Sequence, residues 1–226
     1  LGLELATALG KQAAAKVTTP VALHLDHGSS YEQAEACVNA GFTSVMFDGS
    51  ALSIAENLKK TKEITRIAHS LGISVEGELG YISHCDDVTG ITTNEFVPAD
   101  VVMDFVTKTK IDALAVAAGT NHGTVKGMGG LNIARLAELS NAVDVPLVLH
   151  GGSKLSREDC RLVIDNGIAK INIATDMSLS AAERLRTELA KSPSANYIHL
   201  MTSVKKGVKD LVRKYMLNFD CISRAI

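Results

Sequence analysis

Residues 21–30 read VALHLDHGSS, and the fold turns on what this stretch is. An apolar run ends in His24, Leu25, Asp26 and His27, and a glycine and two serines follow. Two explanations compete. One is a core histidine beside a helix cap. The other is a metal ligand and an acid/base group at the mouth of a barrel. If the run is a strand and 30–40 the helix after it, the segment is the first half of a βαβ unit.

The same pattern recurs along the chain. Strand-like runs rich in Val, Ile and Leu occupy 20–27, 43–49, 73–79, 112–118, 145–150 and 169–174. Segments of helical period fall at 30–40, 51–71, 98–109, 132–142 and 156–167, with others at 3–16, 176–190 and 200–215. Ser156 and Asp159 have the spacing of a capping box. Strand and helix in alternation predict a parallel sheet covered by helices. No linker or low-complexity tract divides the chain, so residues 1–226 read as a single α/β domain.

An open dinucleotide-binding sheet would carry GxGxxG after its first strand. The sequence has none there, and HGTVKGMGG (122–130) fits neither that spacing nor a P-loop. Instead, polar residues cluster at the C-terminal strand ends: Asp26 and His27, Asp48, Glu76 and Glu78, Thr120 and His122, His150, Asn172 and Thr175. In a TIM (β/α)8 barrel these ends converge on one face, where active sites lie. The expectation is therefore such a barrel. Only six strands are found where eight are needed, and the first residue is Leu1. The first two β/α units are expected to be missing from the recorded chain.

Composition narrows the function. The net charge is -2 with both signs dispersed, aromatics make up 4%, and there is no tryptophan, which speaks against nucleic acid as a partner. No apolar run approaches the ~20 residues of a membrane span, and no signal peptide is recognised. Cys37, Cys85, Cys160 and Cys221 form no CxxC, which fits a reduced cytoplasmic setting.

His27, His122 and His150 each end a strand and each precede glycine. Three imidazoles with a fourth position open suit a catalytic Zn2+. A structural role suits any one of them alone; all three at strand ends favour a metal. Asp26 is placed for acid/base work or for orienting a histidine. Glu76 and Glu78 share a strand face; Glu78 is a candidate alternative ligand and Glu76 a structural carboxylate. GGSK (151–154) and NIAT (172–175) read as anion-holding loops or as ordinary capped turns. No lysine ends a strand on the mouth face, and Lys170 is placed at the other end of its strand, which argues against Schiff-base chemistry.

HLDHG, FDGS, VEGELG, GTNHG, VPLVLHGGS and KINIAT, in this order, resemble the zinc-dependent class II fructose-bisphosphate aldolases, with a nearer likeness to the tagatose-bisphosphate branch. The likeness spans essentially the whole chain. It implies a TIM barrel with two strands before HLDHG. It implies reversible cleavage of fructose- or tagatose-1,6-bisphosphate to dihydroxyacetone phosphate and glyceraldehyde 3-phosphate. Another phosphorylated keto sugar, such as 2-deoxy-5-keto-gluconate 6-phosphate, is the alternative substrate. The implied zinc ligands are His27, His122 and His150, with Glu78 as the alternative ligand. Asp26 takes the acid/base position. Gly123, Gly151, Ser153 and Thr175 match positions around the phosphate, and Asn172 the contact to the enediolate. A monovalent cation, Na+ or K+, and a homodimer or homotetramer are also implied. After ELG the family reads like R-L/I-G-G-x-E-D, whereas this chain reads Tyr81-Ile82-Ser83-His84-Cys85-Asp86-Asp87. Asp86 replaces the glutamate that moves the proton on the nucleophilic carbon, and is one methylene shorter. The altered loop raises a further alternative, a non-catalytic relative that binds metal and phosphate.

Overall fold

The computed structural model describes residues 2–80, 97–117 and 131–222. Its elements alternate as the sequence predicts. After α1 (Leu3–Ala14) come β1 (His24–Gly28), α2 (Tyr31–Ala40), β2 (Ser44–Phe47), α3 (Ile54–Ser70) and β3 (Ser74–Leu79). Then follow α4 (Ala99–Thr109), β4 (Ala113–Val116), α5 (Ile133–Ala142), β5 (Leu147–Leu149), α6 (Arg157–Asp165), β6 (Ile168–Ile171), α7 (Thr175–Lys191) and α8 (Tyr197–Asn218). The strands form one parallel sheet in the order β1-β2-β3-β4-β5-β6. This is a six-stranded parallel half-barrel among the described residues.

Side-chain alternation sorts each strand into two faces. Val45 and Phe47, Val75 and Leu79, Leu114 and Val116, and Leu147 and Leu149 enter the main core with the helices. Met46, Ala115 and Val148 form a separate small cluster on the other face. That inner face also carries the charged groups: Glu76 and Glu78 are buried, and His150 is fully buried. The sheet curls far enough for its first and last strands to meet through side chains. Asn172 Nδ2 donates to Asp26 Oδ1 at 3.0 Å, and Lys170 Nζ lies 3.4 Å from His24 Nε2.

Element ends differ from expectation for local reasons. β1 starts at His24 rather than residue 20, because β2 pairs with it only from Ser44 onward. α3 starts at Ile54, where Ser53 and Glu56 close a capping box. The expected capping box of Ser156 and Asp159 is present at α6. Asn196 caps α8 by accepting from the His199 amide, so that helix starts three residues earlier than the periodicity suggests.

Candidate active site at the strand ends

Asp26 and His27 are neighbours, so a regular strand would point them to opposite faces. The ladder shows how both serve one site. Leu25 pairs with Val45 and Gly28 with Phe47, a register shift that inserts an extra residue into β1. His27 takes up the excess in the left-handed region at φ 51. Histidine is among the few side chains tolerated there, and bulges of this kind re-aim side chains. Gly28 is needed for close approach rather than for positive φ. A Cβ there would meet the Met46 carbonyl and lie 2.7 Å from Leu25 Cδ2. Gly151, after His150, does require its glycine, at φ 70.

His27 and His150 converge. His150 Nδ1 lies 2.9 Å from His27 Nε2, and the two rings meet edge to face with centroids 4.6 Å apart. The outer nitrogen of each ring is held by a carboxylate. His27 Nδ1 is 2.7 Å from Asp48 Oδ2, and His150 Nε2 is 2.9 Å from Glu76 Oε1. A carboxylate only accepts, so these outer nitrogens carry the hydrogens, and the inner pair presents lone pairs to a common point. Two facing lone pairs need a cation or a proton between them. Glu78 Oε2 stands 3.8 Å from His27 Nδ1 and 3.9 Å from His150 Nδ1. It is buried without a hydrogen-bond partner among the described residues.

The electrostatics agree. Burial, reinforced by Asp48 and Glu76, pushes the Glu78 carboxyl well above its usual range. Burial also works against ionised Asp48, but hydrogen bonds from His27 and Ser50 overcome it and bring Asp48 down to about 2. The Asp48 hydrogen bond raises His27 against the opposing effect of desolvation. Two groups can each offer three ligand atoms within 4.8 Å of one another: Asp26, His27 and His150, and His27, Asp48 and Glu78. Imidazole nitrogen and carboxylate oxygen are donors that zinc accepts. A metal therefore fits the residues present.

The expected anion loops come together at the start of α7. Ser153, buried, accepts from the Asp176 amide at 3.2 Å, and Thr175 opens the helix. Some amides expected to face a ligand are committed within the fold: Gly152 donates to the Asn172 carbonyl, and Lys154 to Asp176 Oδ2 and Tyr215 Oη. Tyr215 of α8 donates in turn to Asp176. Asn172 keeps its amide beside Asp26 and 3.3 Å from His150 Nε2. A cavity of about 360 Å³ reaches Asp26, Asn172, Lys170 and His24 between β1, β6 and α8.

His122 and Gly123, Thr120, His84 and Asp86 lie outside the described residues. Glu76 is the structural carboxylate expected, and His24 is a half-buried histidine bonded to Ser44 Oγ at 2.9 Å. The placing of Lys170 is corrected. It is the third residue of β6, and its ammonium reaches the inner face, 2.7 Å from Glu76 Oε2. The ladder runs Glu78, Ala115, Val148, Lys170, and this register sets the height of Lys170 in the interior. Asp48 was legible only as a polar strand end, and its FDGS context was the available signal. Nothing local marked Tyr215, whose partners lie far away in the chain.

A half-barrel of βα units thus gathers histidines and carboxylates at its strand ends, a donor set that suits a metal ion. The chain belongs to the class II fructose-bisphosphate aldolase family, whose model, described as Fructose-bisphosphate aldolase class-II, matches residues 1–224. It is 42% identical over 213 residues to the 6-phospho-5-dehydro-2-deoxy-D-gluconate aldolase of Shouchella clausii (strain KSM-K16), covering 92% of this chain and 71% of that protein. It is 37% identical over 205 residues to the D-tagatose-1,6-bisphosphate aldolase subunit GatY of Klebsiella oxytoca, covering 89% and 72%. The crystal structure of the YdjI aldolase from Escherichia coli K12 superposes with a TM-score of 0.83 at 33% identity, over 100% of this chain and 78% of that one.

Proposed function

We propose that this chain catalyses the reversible aldol cleavage of fructose- or tagatose-1,6-bisphosphate to dihydroxyacetone phosphate and glyceraldehyde 3-phosphate. The observation that supports it most is the pair of imidazole nitrogens facing each other at 2.9 Å, each ring braced from behind by a carboxylate. His27 and His150 would hold a zinc ion, with His122 as third ligand and Glu78 as the alternative one. When bound, the metal would supply Lewis-acid polarisation of the substrate's carbonyl and adjoining hydroxyl oxygens.

The chain's own groups do the rest. Asp26 takes the proton from the hydroxyl at the bond that breaks and returns it in the reverse direction. Asn172, bonded to Asp26 Oδ1 at 3.0 Å, fixes that carboxylate and faces the same space. Gly151, Ser153, Thr175 and Gly123 cradle the phosphate, assisted by the N-terminal dipole of α7. Asp86 exchanges the proton on the nucleophilic carbon. A monovalent cation, Na+ or K+, near the phosphate, a homodimer or homotetramer, a barrel completed to eight strands and a cytoplasmic location complete the reading. Among the described residues no helix is long and apolar enough to cross a membrane.

A second substrate reading, 6-phospho-5-dehydro-2-deoxy-D-gluconate, draws on the 42% identity to the Shouchella clausii aldolase. The test is cleavage of all three sugars before and after EDTA, with zinc added back. Chelator-sensitive cleavage restored by zinc is the expected result, and the ratio of rates names the sugar. Zinc binding without cleavage of any of them would instead identify a non-catalytic relative.

A further inference from the structure

We infer that Lys170 is a positioning residue for the metal centre, acting through Glu76 to hold His150 in the ligating tautomer. This rests on the metal reading above. Lys170 stands on β6, Glu76 on β3 and His150 just past β5, so three strands far apart in sequence meet at one interior point. The chain of contacts is short. Lys170 Nζ donates to Glu76 Oε2 at 2.7 Å, and Glu76 Oε1 accepts from His150 Nε2 at 2.9 Å. Both carboxylate oxygens are thus engaged, and Glu76 is buried.

Burying a carboxylate is costly unless an opposite charge or hydrogen bonds compensate its desolvation, and here an ammonium on one oxygen fixes the other toward His150. A carboxylate can only accept, which places the hydrogen of His150 on Nε2 and the lone pair on Nδ1, the nitrogen that faces His27. Lys170 supplies the compensating charge from the far wall. Its other neighbour, His24 Nε2 at 3.4 Å, can accept from the same ammonium while His24 Nδ1 donates to Ser44 Oγ at 2.9 Å. The network therefore spans β1, β2, β3 and β6 beneath the ligating histidines. It also assigns the lysine a task other than that of a nucleophile.

The test is cobalt(II) titration of the full chain, followed by the visible d–d bands, with wild type, Lys170→Met, Lys170→Arg, Glu76→Gln and the double variant Lys170→Met/Glu76→Gln. Lys170→Met is expected to weaken cobalt binding about 10- to 100-fold, in the range for loss of a group that orients a ligand. Lys170→Arg should restore most of it. In the Glu76→Gln background Lys170→Met should cost nothing further, because the lysine acts through that carboxylate. Binding within about twofold of wild type in Lys170→Met overturns the inference while leaving the metal reading intact, as does an equal loss in both backgrounds. A wild-type protein that takes up no cobalt overturns the metal reading and this one with it. Should Lys170→Met fail to fold, Lys170→Gln, uncharged but still a donor, takes its place with the same expectations.

Discussion

His27 Nε2 and His150 Nδ1 face each other at 2.9 Å across the strand ends of β1 and β5, each with its second nitrogen bound to a carboxylate. Replacing either ring by alanine removes a donor and also strands a buried or half-buried carboxylate. His27→Ala and His150→Ala should each lose stoichiometric zinc, measured by elemental analysis after dialysis. Zinc retained at wild-type level in either variant would remove that residue from the ligand set.

Asp26 is exposed and bonded to Asn172, outside the carboxylate pairs that brace the histidines. Asp26→Asn should keep zinc and lower kcat by about 10²- to 10⁴-fold, the usual weight of a general acid/base. Turnover close to wild type would end the acid/base assignment.

Asp48 is held at about 2 against an ordinary 3.8, so its ionised form is favoured by folding. Its contribution is present above pH 3.8 and is lost as pH falls through about 2, and amounts to about 2 kcal/mol. His27 is raised, so its part is complete below 6.5 and is lost as pH rises through the folded value. In metal-free protein the pair therefore supports the fold most between about pH 4 and 6.5. Urea unfolding of the metal-free protein from pH 4 downward should show the acid limb, and Asp48→Asn should flatten it. An unchanged slope in that variant would refute the linkage.

Gly28 has no room for a side chain, since its Cβ would run into the Met46 carbonyl and Leu25. Gly28→Ala should destabilise the fold by about 1–3 kcal/mol and displace His27 from the site. A lower urea midpoint together with weaker zinc binding is expected. A lower midpoint with zinc affinity unchanged would show that the bulge does not aim His27.

Tyr215 ties α8 to the loop at 151–154 through Asp176 and the Lys154 amide, with Lys154 held in the left-handed region at φ 66. Burial and the Asp176 bond push the tyrosine hydroxyl above its ordinary value, so it remains a donor. Tyr215→Phe removes two partly buried hydrogen bonds, the one donated to Asp176 and the one accepted from the Lys154 amide, each worth about 1 kcal/mol, and frees the loop. KM for the phosphorylated substrate should rise about fivefold with kcat nearly unchanged. A fall in kcat at constant KM would place Tyr215 in the chemistry instead.

Much of the fold was legible because its signals are local. Runs of Val, Ile and Leu mark the strands, and the spacing of apolar residues marks the helices. Ser156 with Asp159 closes its capping box without help from elsewhere. Asp26, His27, Glu78, His150 and Asn172 could be marked as candidates in the same way, because each is a polar side chain at or near the C-terminal end of an apolar run. The motif order also sufficed for the family, which the match over residues 1–224 confirms.

What the sequence could not determine depends on contacts across strands. Strand alternation opposes Asp26 to His27, and only the register against β2 reveals the inserted residue that reconciles them. In the sequence Asp48 reads as a polar strand end, Glu76 as a structural carboxylate without a partner to name, and Lys170 as a lysine at the opposite end of its strand. Their tasks appear only when the sheet curls and brings β1, β3, β5 and β6 to one interior. Side-chain periodicity is fixed by the backbone of a single strand, whereas which donor meets which acceptor is fixed by register and curvature. Sequence alone therefore reaches the elements, the candidate residues at the strand ends and the family; register and curvature settle how His27 and His150 meet and which carboxylates hold them.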